Sequence, residues 1–259
     1  MHFGCPVGRP VPRPSMHSMP DANTGRPAAG RWTFLGSVAL ALVSATALVT
    51  LGLVLPEDSA GELFNESGPF EQASPWLWIA LALWIPLVFR KPTIGVAAGL
   101  IVSLAAAARE WDWHVAFTGY SVLKPPFYYR AEHTSFFGGV ENVVTVSVPE
   151  RIVAALIMLC VVGSVAVLVA RLAALKPWKR PWPWWCFGLG FAFGMLVFTK
   201  LADRAPAVLD ESLGLTLGPR IRLAFYALEE GLEMMLPAFF AAFSLSLARW
   251  YRQQHTDSL

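Results

Sequence analysis

The chain has 259 residues, 55% hydrophobic, 13% aromatic and only 15% charged, with a formal net charge of +2 and a mean hydropathy of +0.50. Soluble domains carry about 25% charged residues. That deficit, with eleven tryptophans and several long apolar runs, excludes a soluble enzyme, a disordered chain and a nucleic-acid-binding domain, and points to a polytopic membrane protein whose first partner is the lipid bilayer.

In chain order, residues 1–31 hold Pro6, Pro10, Pro12, Pro14, Pro20 and Pro27 and lack apolar periodicity, the composition of a disordered tail. A membrane-crossing helix needs about 20 mostly apolar residues, with a range of about 17–25. Trp32–Leu55 meets this without a charge. It is too long for a signal-peptide core and no small-residue cleavage pattern follows, so it reads as an uncleaved first span. Trp76–Phe89 and Thr93–Ala108 flank Arg90-Lys91 and read as a tight hairpin of spans 2 and 3. Ile152–Leu175, Trp184–Leu201 and Leu223–Trp250 complete six spans, and residues 251–259 form a short tail. The expected fold is therefore all-α, a transmembrane helix bundle of about six spans occupying residues 32–250.

Charge orients the bundle, because Lys and Arg concentrate in short cytoplasmic loops. Arg9, Arg13, Arg26 and Arg31 precede span 1, Arg90 and Lys91 separate spans 2 and 3, Arg171, Lys176, Lys179 and Arg180 join spans 4 and 5, and Arg249 and Arg252 follow span 6. Six spans put all of them on one side, with both termini cytoplasmic. The opposite side receives Glu57, Asp58, Glu62, Glu66 and Glu71 with no basic residue in that loop. The aromatic stretch Trp111 to Tyr129 reads as an interfacial segment. Gly95–Gly99 and Gly190–Gly194 are spaced to let spans 3 and 5 approach their neighbours closely. Cys5, Cys160 and Cys186 have no metal spacing and do not suggest a disulfide framework.

Three constellations place polar groups where they are expensive. Span 6 contains Glu229, Glu230 and Glu233, and a charge at the centre of a membrane helix costs about 2.5–3.5 kcal/mol. Glu229 and Glu233 share a helix face, and Glu230 nearly joins them. Pro237 cannot donate to the Glu233 carbonyl, which adds a free oxygen at that level. Beyond span 3, one more helical turn would stack Glu110 and His114, a pair suited to half a metal site or to a general base and its orienting partner. At the end of span 5 stand Lys200, Asp203 and Arg204, either a salt bridge to the span 6 glutamates or a grip on an anionic group. Lys124 is a further basic candidate in the same region.

The topology brings all three to one face, and intramembrane ionisable residues mark functional sites by default. Candidate catalytic residues are Glu110, His114, Asp203, Glu229 and Glu233, and candidate substrate contacts are Lys200, Arg204 and Lys124. A divalent metal is the cofactor such groups would take, through Glu110, His114, Glu229, Glu230 and Glu233.

The strings REWDWHVAFTGYSVLK, KLADR and LEEGLEMMLP, across residues 76–248, resemble motifs of uncharacterised bacterial multi-pass membrane proteins. The resemblance implies a bacterial inner membrane and no particular activity. Intramembrane hydrolases of the ceramidase and CAAX-protease types do not fit, since span 6 lacks the histidines of the first and Glu233 stands where the second requires Arg. Three functions stay open: an enzyme acting on a lipid-linked or small polar substrate, a proton- or cation-coupled transporter, and a non-catalytic assembly or sensing subunit with a membrane-protein partner or a second copy.

Overall fold

The computed structural model describes residues 28–64, 68–111, 129–131, 143–145, 148–177 and 182–256. Its helices are α1 (Ala28–Val54), α2 (Glu57–Phe64), α3 (Pro69–Phe89), α4 (Ile94–Glu110), α5 (Val148–Ala174), α6 (Trp184–Leu213) and α7 (Pro219–Thr256). Between α4 and α5, the short strands β1 (Tyr129–Ala131) and β2 (Val143–Thr145) pair antiparallel, with Tyr129 opposite Thr145. Among the described residues, five stretches are long and apolar enough to cross a membrane: Gly30–Val54, Glu57–Phe89, Ile152–Ala174, Trp184–Leu213 and Pro219–Gln254. The protein is a helical bundle with the build of a multi-pass membrane protein. Its outward apolar side chains, among them Val43, Leu83, Leu159 and Leu201, are exposed in the isolated chain, as expected where lipid replaces a second layer of protein.

Local chemistry sets the helix limits. Pro69 opens α3 directly after the extended Gly68, the position where a missing N–H costs nothing. That start lengthens the expected short span 76–89 to 21 residues. The hairpin into α4 turns through Arg90, whose left-handed backbone (φ 57°) lets its N–H reach the Pro86 carbonyl at 2.9 Å. Thr93 then caps α4 by accepting the Val96 N–H at 3.3 Å. α4 spans 17 residues, the lower limit for crossing the hydrocarbon layer at about 1.5 Å per residue. Gly214, at φ 63°, ends α6 and accommodates a backbone that a side chain would strain. α6 runs past the expected limit at 201, and α7 starts before 223 and continues beyond 250, because a hydropathy window measures the lipid-crossing part of a helix and not its full hydrogen-bonded length. The stretch read as an acidic loop contains α2 and the first turn of α3.

α7 is the axis of the bundle and packs against α1, α2, α3 and α6. Half of its apolar window is buried, against 11% for α5, whose main neighbour among the described residues is α4. Two apolar clusters lie along α7: Leu48, Ala60, Phe64, Ala227 and Leu232 towards α1 and α2, and Ala41, Ala192, Leu236 and Phe239 towards α1 and α6. The closest helix approach differs from the expected one. A Cβ on Gly190 or Gly194 would meet nothing within 4 Å, whereas one on Gly52 would sit 2.7 Å from the Ala224 Cα. Gly99, against Ile85 at 3.3 Å, is the expected position that does pack tightly.

Contacts between helix ends fix how the bundle is arranged. Arg220 donates to the Leu53 carbonyl at 3.0 Å, joining the end of α1 to the start of α7. At the opposite end, Arg252 donates to the Val88 carbonyl at 3.1 Å, Trp185 lies against Trp250 with ring centroids 5.9 Å apart, and Gly30 abuts Trp184. That second end gathers Arg31, Arg90, Lys91, Arg171, Lys176, Arg249 and Arg252, while Glu57, Asp58, Glu62 and Glu71 lie at the first.

Candidate functional site

The start of α3, the end of α4, the second half of α6 and the first half of α7 meet at the acidic end of the bundle. α7 carries Glu229, Glu230 and Glu233 over little more than one turn. Its opposite face, with Ala224, Ala227 and Leu232 buried against α1 and α2, fixes its rotation and turns the carboxylates towards α6, α3 and α4. α6 is held along α7 by packing that includes Ala192 and the fully buried Thr199, which puts the next residue, Lys200, among them.

Lys200 Nζ pairs with Glu233 Oε1 and lies 4.0 Å from Glu229 Oε1. The two glutamate side chains are 13% and 12% exposed and that of Lys200 is 44% exposed, so the ammonium enters from the open side of a half-buried site. Glu233 Oε1 meets Lys200 as a charge and has no aligned hydrogen bond. Glu230 lies within electrostatic range of Glu229, Glu233, Glu71 and Glu110. It makes no hydrogen bond or ion pair among the described residues. Glu110, at the end of α4, accepts from the Ser74 hydroxyl at 3.2 Å and from Arg109 at 2.6 Å. It also lies within range of Glu233 and Lys200. On the rim, Arg204 pairs with Asp203 at 3.5 Å, and Arg222 with Asp210 at 2.8 Å.

The sequence-derived candidates Glu110, Lys200, Asp203, Arg204, Glu229, Glu230 and Glu233 thus converge from three helices, with Lys200 bound to the span 6 glutamates. Arg204 stays on the exposed rim, its side chain 79% accessible, and is aimed at Asp203. α4 closes at Glu110 with Trp111 in the cap position. His114 and Lys124 lie outside the described residues. No group of three or more His, Cys, Asp or Glu among the described residues is arranged to hold a metal ion. The physical reason at the centre of the site is plain: the Lys200 ammonium stands where a cation shared by Glu229 and Glu233 would stand.

Ser74 and Glu71 are members of the site that sequence reasoning missed. Their stretch is too polar to read as part of a span. The available signal was Pro69, a helix-opening proline with Glu71 in the first turn.

The distance of the cluster from the basic end follows from helix rise. Sixteen residues separate Trp184 from Lys200, Glu233 from Arg249 and Ile94 from Glu110, about 24 Å along each helix. The hydrocarbon core of a bilayer is about 30 Å thick. The cluster therefore lies about 24 Å along the helices from the basic end of the bundle. On the side towards the basic end, the next layer is apolar: Leu236 and Phe239 with Ala192, and Phe240 between Trp78 and Phe193 at centroid distances of 5.9 and 5.8 Å. Among the described residues, the arrangement is an acidic cluster next to an apolar layer. Comparison with protein-family models, with curated proteins and with solved structures finds no match for this chain.

Proposed function

We propose that the chain is a six-span protein of a bacterial inner membrane, with both termini and the basic end of the bundle cytoplasmic. In this reading α4 crosses the bilayer as the short arm of the α3–α4 hairpin. The cluster of Glu110, Lys200, Asp203, Glu229, Glu230 and Glu233 then faces the periplasm or outer leaflet as a binding site for a cation or cationic group. It serves a lipid-linked or small polar substrate approached from that side. The observation that carries the reading is the Lys200 ammonium seated between Glu229 and Glu233, because it shows these carboxylates arranged around a positive charge. Binding a hard cation or a proton in a partly desolvated carboxylate site is chemically apt.

The apolar layer of Leu236, Phe239 and Phe240 beneath the cluster favours a site served from one side over a conduit, which would need polar groups in the other half of the bundle. Enzymatic turnover would use the same carboxylates as general acid and base, with Lys200 and Arg204 placing an anionic part of the substrate.

Dicyclohexylcarbodiimide, which modifies carboxyl groups in apolar surroundings, tests this on the purified full-length protein, with mass spectrometry locating the adducts. The reading expects labelling within Glu229–Glu233 that falls as sodium, calcium or manganese is added or as pH rises. Labelling indifferent to pH and to every cation would overturn it.

A further inference from the structure

Charge is divided unevenly between the two ends of the bundle. Twelve of the twenty lysines and arginines belong to the basic end or to the stretches 1–27, 178–181 and 257–259 that adjoin it in sequence. Only two of the eighteen acids, Asp21 and Asp257, do so. The small net charge of +2 therefore conceals a strongly basic end, and the three adjoining stretches add to that excess.

Bases from three helices meet at one turn of this end. Arg90 and Lys91 lie in the turn from α3 to α4. Arg171, in the last turn of α5, lays its stem against the start of α4, its Cγ 3.8 Å from where a Cβ on Gly95 would stand. Arg252 of α7 reaches the Val88 carbonyl, on the α3 side of the turn, at 3.1 Å. Arg90, Lys91 and Arg171 are exposed and have no carboxylate partner among the described residues. The enrichment of basic residues in cytoplasmic loops accounts for the sign of this end, but not for the gathering of bases from separate helices on one turn.

An apolar feature, independent of the charge, leads to the same place. Leu83 and Leu87, four apart on one face of α3, are exposed and point the way to the turn. Ile94 at the start of α4 and Val169, two residues before Arg171, are exposed as well. Fixed bases next to exposed apolar side chains match a molecule that joins an anionic head to hydrocarbon chains. A soluble anion would use the bases alone, and a zwitterionic lipid would cover the apolar row and leave the bases without a counter-charge.

We propose that the α3–α4 turn, with the end of α5, is a binding site for an anionic phospholipid of the leaflet at the basic end. Arg90, Lys91 and Arg171 hold its phosphate through charge-assisted hydrogen bonds, and its acyl chains lie along Leu83 and Leu87. The site is at the opposite end from the acidic cluster and stands whatever that cluster binds.

The test uses purified full-length protein in detergent, with native mass spectrometry following bound phosphatidylglycerol or phosphatidylcholine. Wild type should retain phosphatidylglycerol in preference. A base beside an anionic head group contributes about fivefold to affinity, so Lys91→Gln and Arg171→Gln should each bind it about fivefold more weakly and the double variant about thirtyfold. Both changes leave the left-handed backbone at Arg90 untouched. Arg31→Gln removes a charge from the α1 side of the same end, where Gly30 abuts Trp184, and should bind as wild type does. An equal loss in Arg31→Gln would reduce the site to diffuse charge and overturn the inference, as would equal retention of the two lipids. Full displacement of phosphatidylglycerol by inorganic phosphate at matched ionic strength would make the ligand a soluble anion, and overturns it too. Should a variant fail to fold, the wild type decides: phosphatidylglycerol with a photoactivatable acyl chain must label residues 83–95. Labelling spread evenly over the basic end counts against the site.

Discussion

Replacing Lys200 by Met takes away the ammonium that faces Glu229 and Glu233 while keeping most of the side-chain volume. Removing one partner of a buried pair costs about 3–5 kcal/mol, and removing one of an exposed pair costs about 0–1 kcal/mol. The glutamates are 12% and 13% exposed and the lysine 44%, so the loss falls between these limits, at about 2 kcal/mol after allowance for solvent screening. For a protein of this size that is about 4–8 °C in Tm. A double-mutant cycle separates the pair from the rest of the substitution. Lys200→Met with Glu233→Gln should be less damaging than the sum of the single changes by about 1–2 kcal/mol. The cycle with Glu229, at 4.0 Å, should give about half that coupling. Unfolding of the detergent-solubilised protein, followed by tryptophan fluorescence, reads both cycles. Additivity within about 0.3–0.5 kcal/mol in the Glu233 cycle would refute the reasoning, because the ion pair would then contribute nothing.

Three further outcomes follow from the packing and hydrogen bonding. Gly52→Ala should destabilise the bundle by about 1–3 kcal/mol, since its Cβ would press on the Ala224 backbone at 2.7 Å. Gly190→Ala and Gly194→Ala, with nothing within 4 Å, should change unfolding by no more than about 0.5 kcal/mol in the same assay. Ser74→Ala removes the 3.2 Å hydrogen bond to Glu110 and should cost about 1 kcal/mol, a loss that should vanish in a Glu110→Ala background.

The lipid-crossing parts of the fold were legible because charge depletion and long apolar runs are dictated directly by the bilayer. The outer parts were not. α2, the first turn of α3 and the extensions of α6 to Leu213 and α7 to Pro219 carry the mixed composition of helices emerging into water, which resembles a loop to a hydropathy window. Within the site, Glu229, Glu230, Glu233 and Lys200 stood out because their charge is costly where they lie. Ser74 and Glu71 did not, since serine is cheap in a helix and an acidic residue beside a run of acids carries no signal. Helix spacing alone also misjudged the glycines: Gly190–Gly194 has the right interval, yet Gly52 of α1 and Gly231 of α7 make the close approach between those helices. Which face meets a neighbour depends on the rotation of the whole helix, and a four-residue interval does not encode that.

The measurement that bears most directly on the account is the sidedness of the acidic end. In a chain with Cys5, Cys160 and Cys186 replaced by serine, single cysteines would be placed at Ser212 near the end of α6, at Glu230 in the cluster and at Arg252 at the basic end. Intact cells would then be treated with a small membrane-impermeant thiol reagent. The account predicts that Ser212→Cys and Glu230→Cys react from outside and that Arg252→Cys reacts only after lysis. Reaction of Arg252→Cys from outside, or of Glu230→Cys only from within, would contradict it.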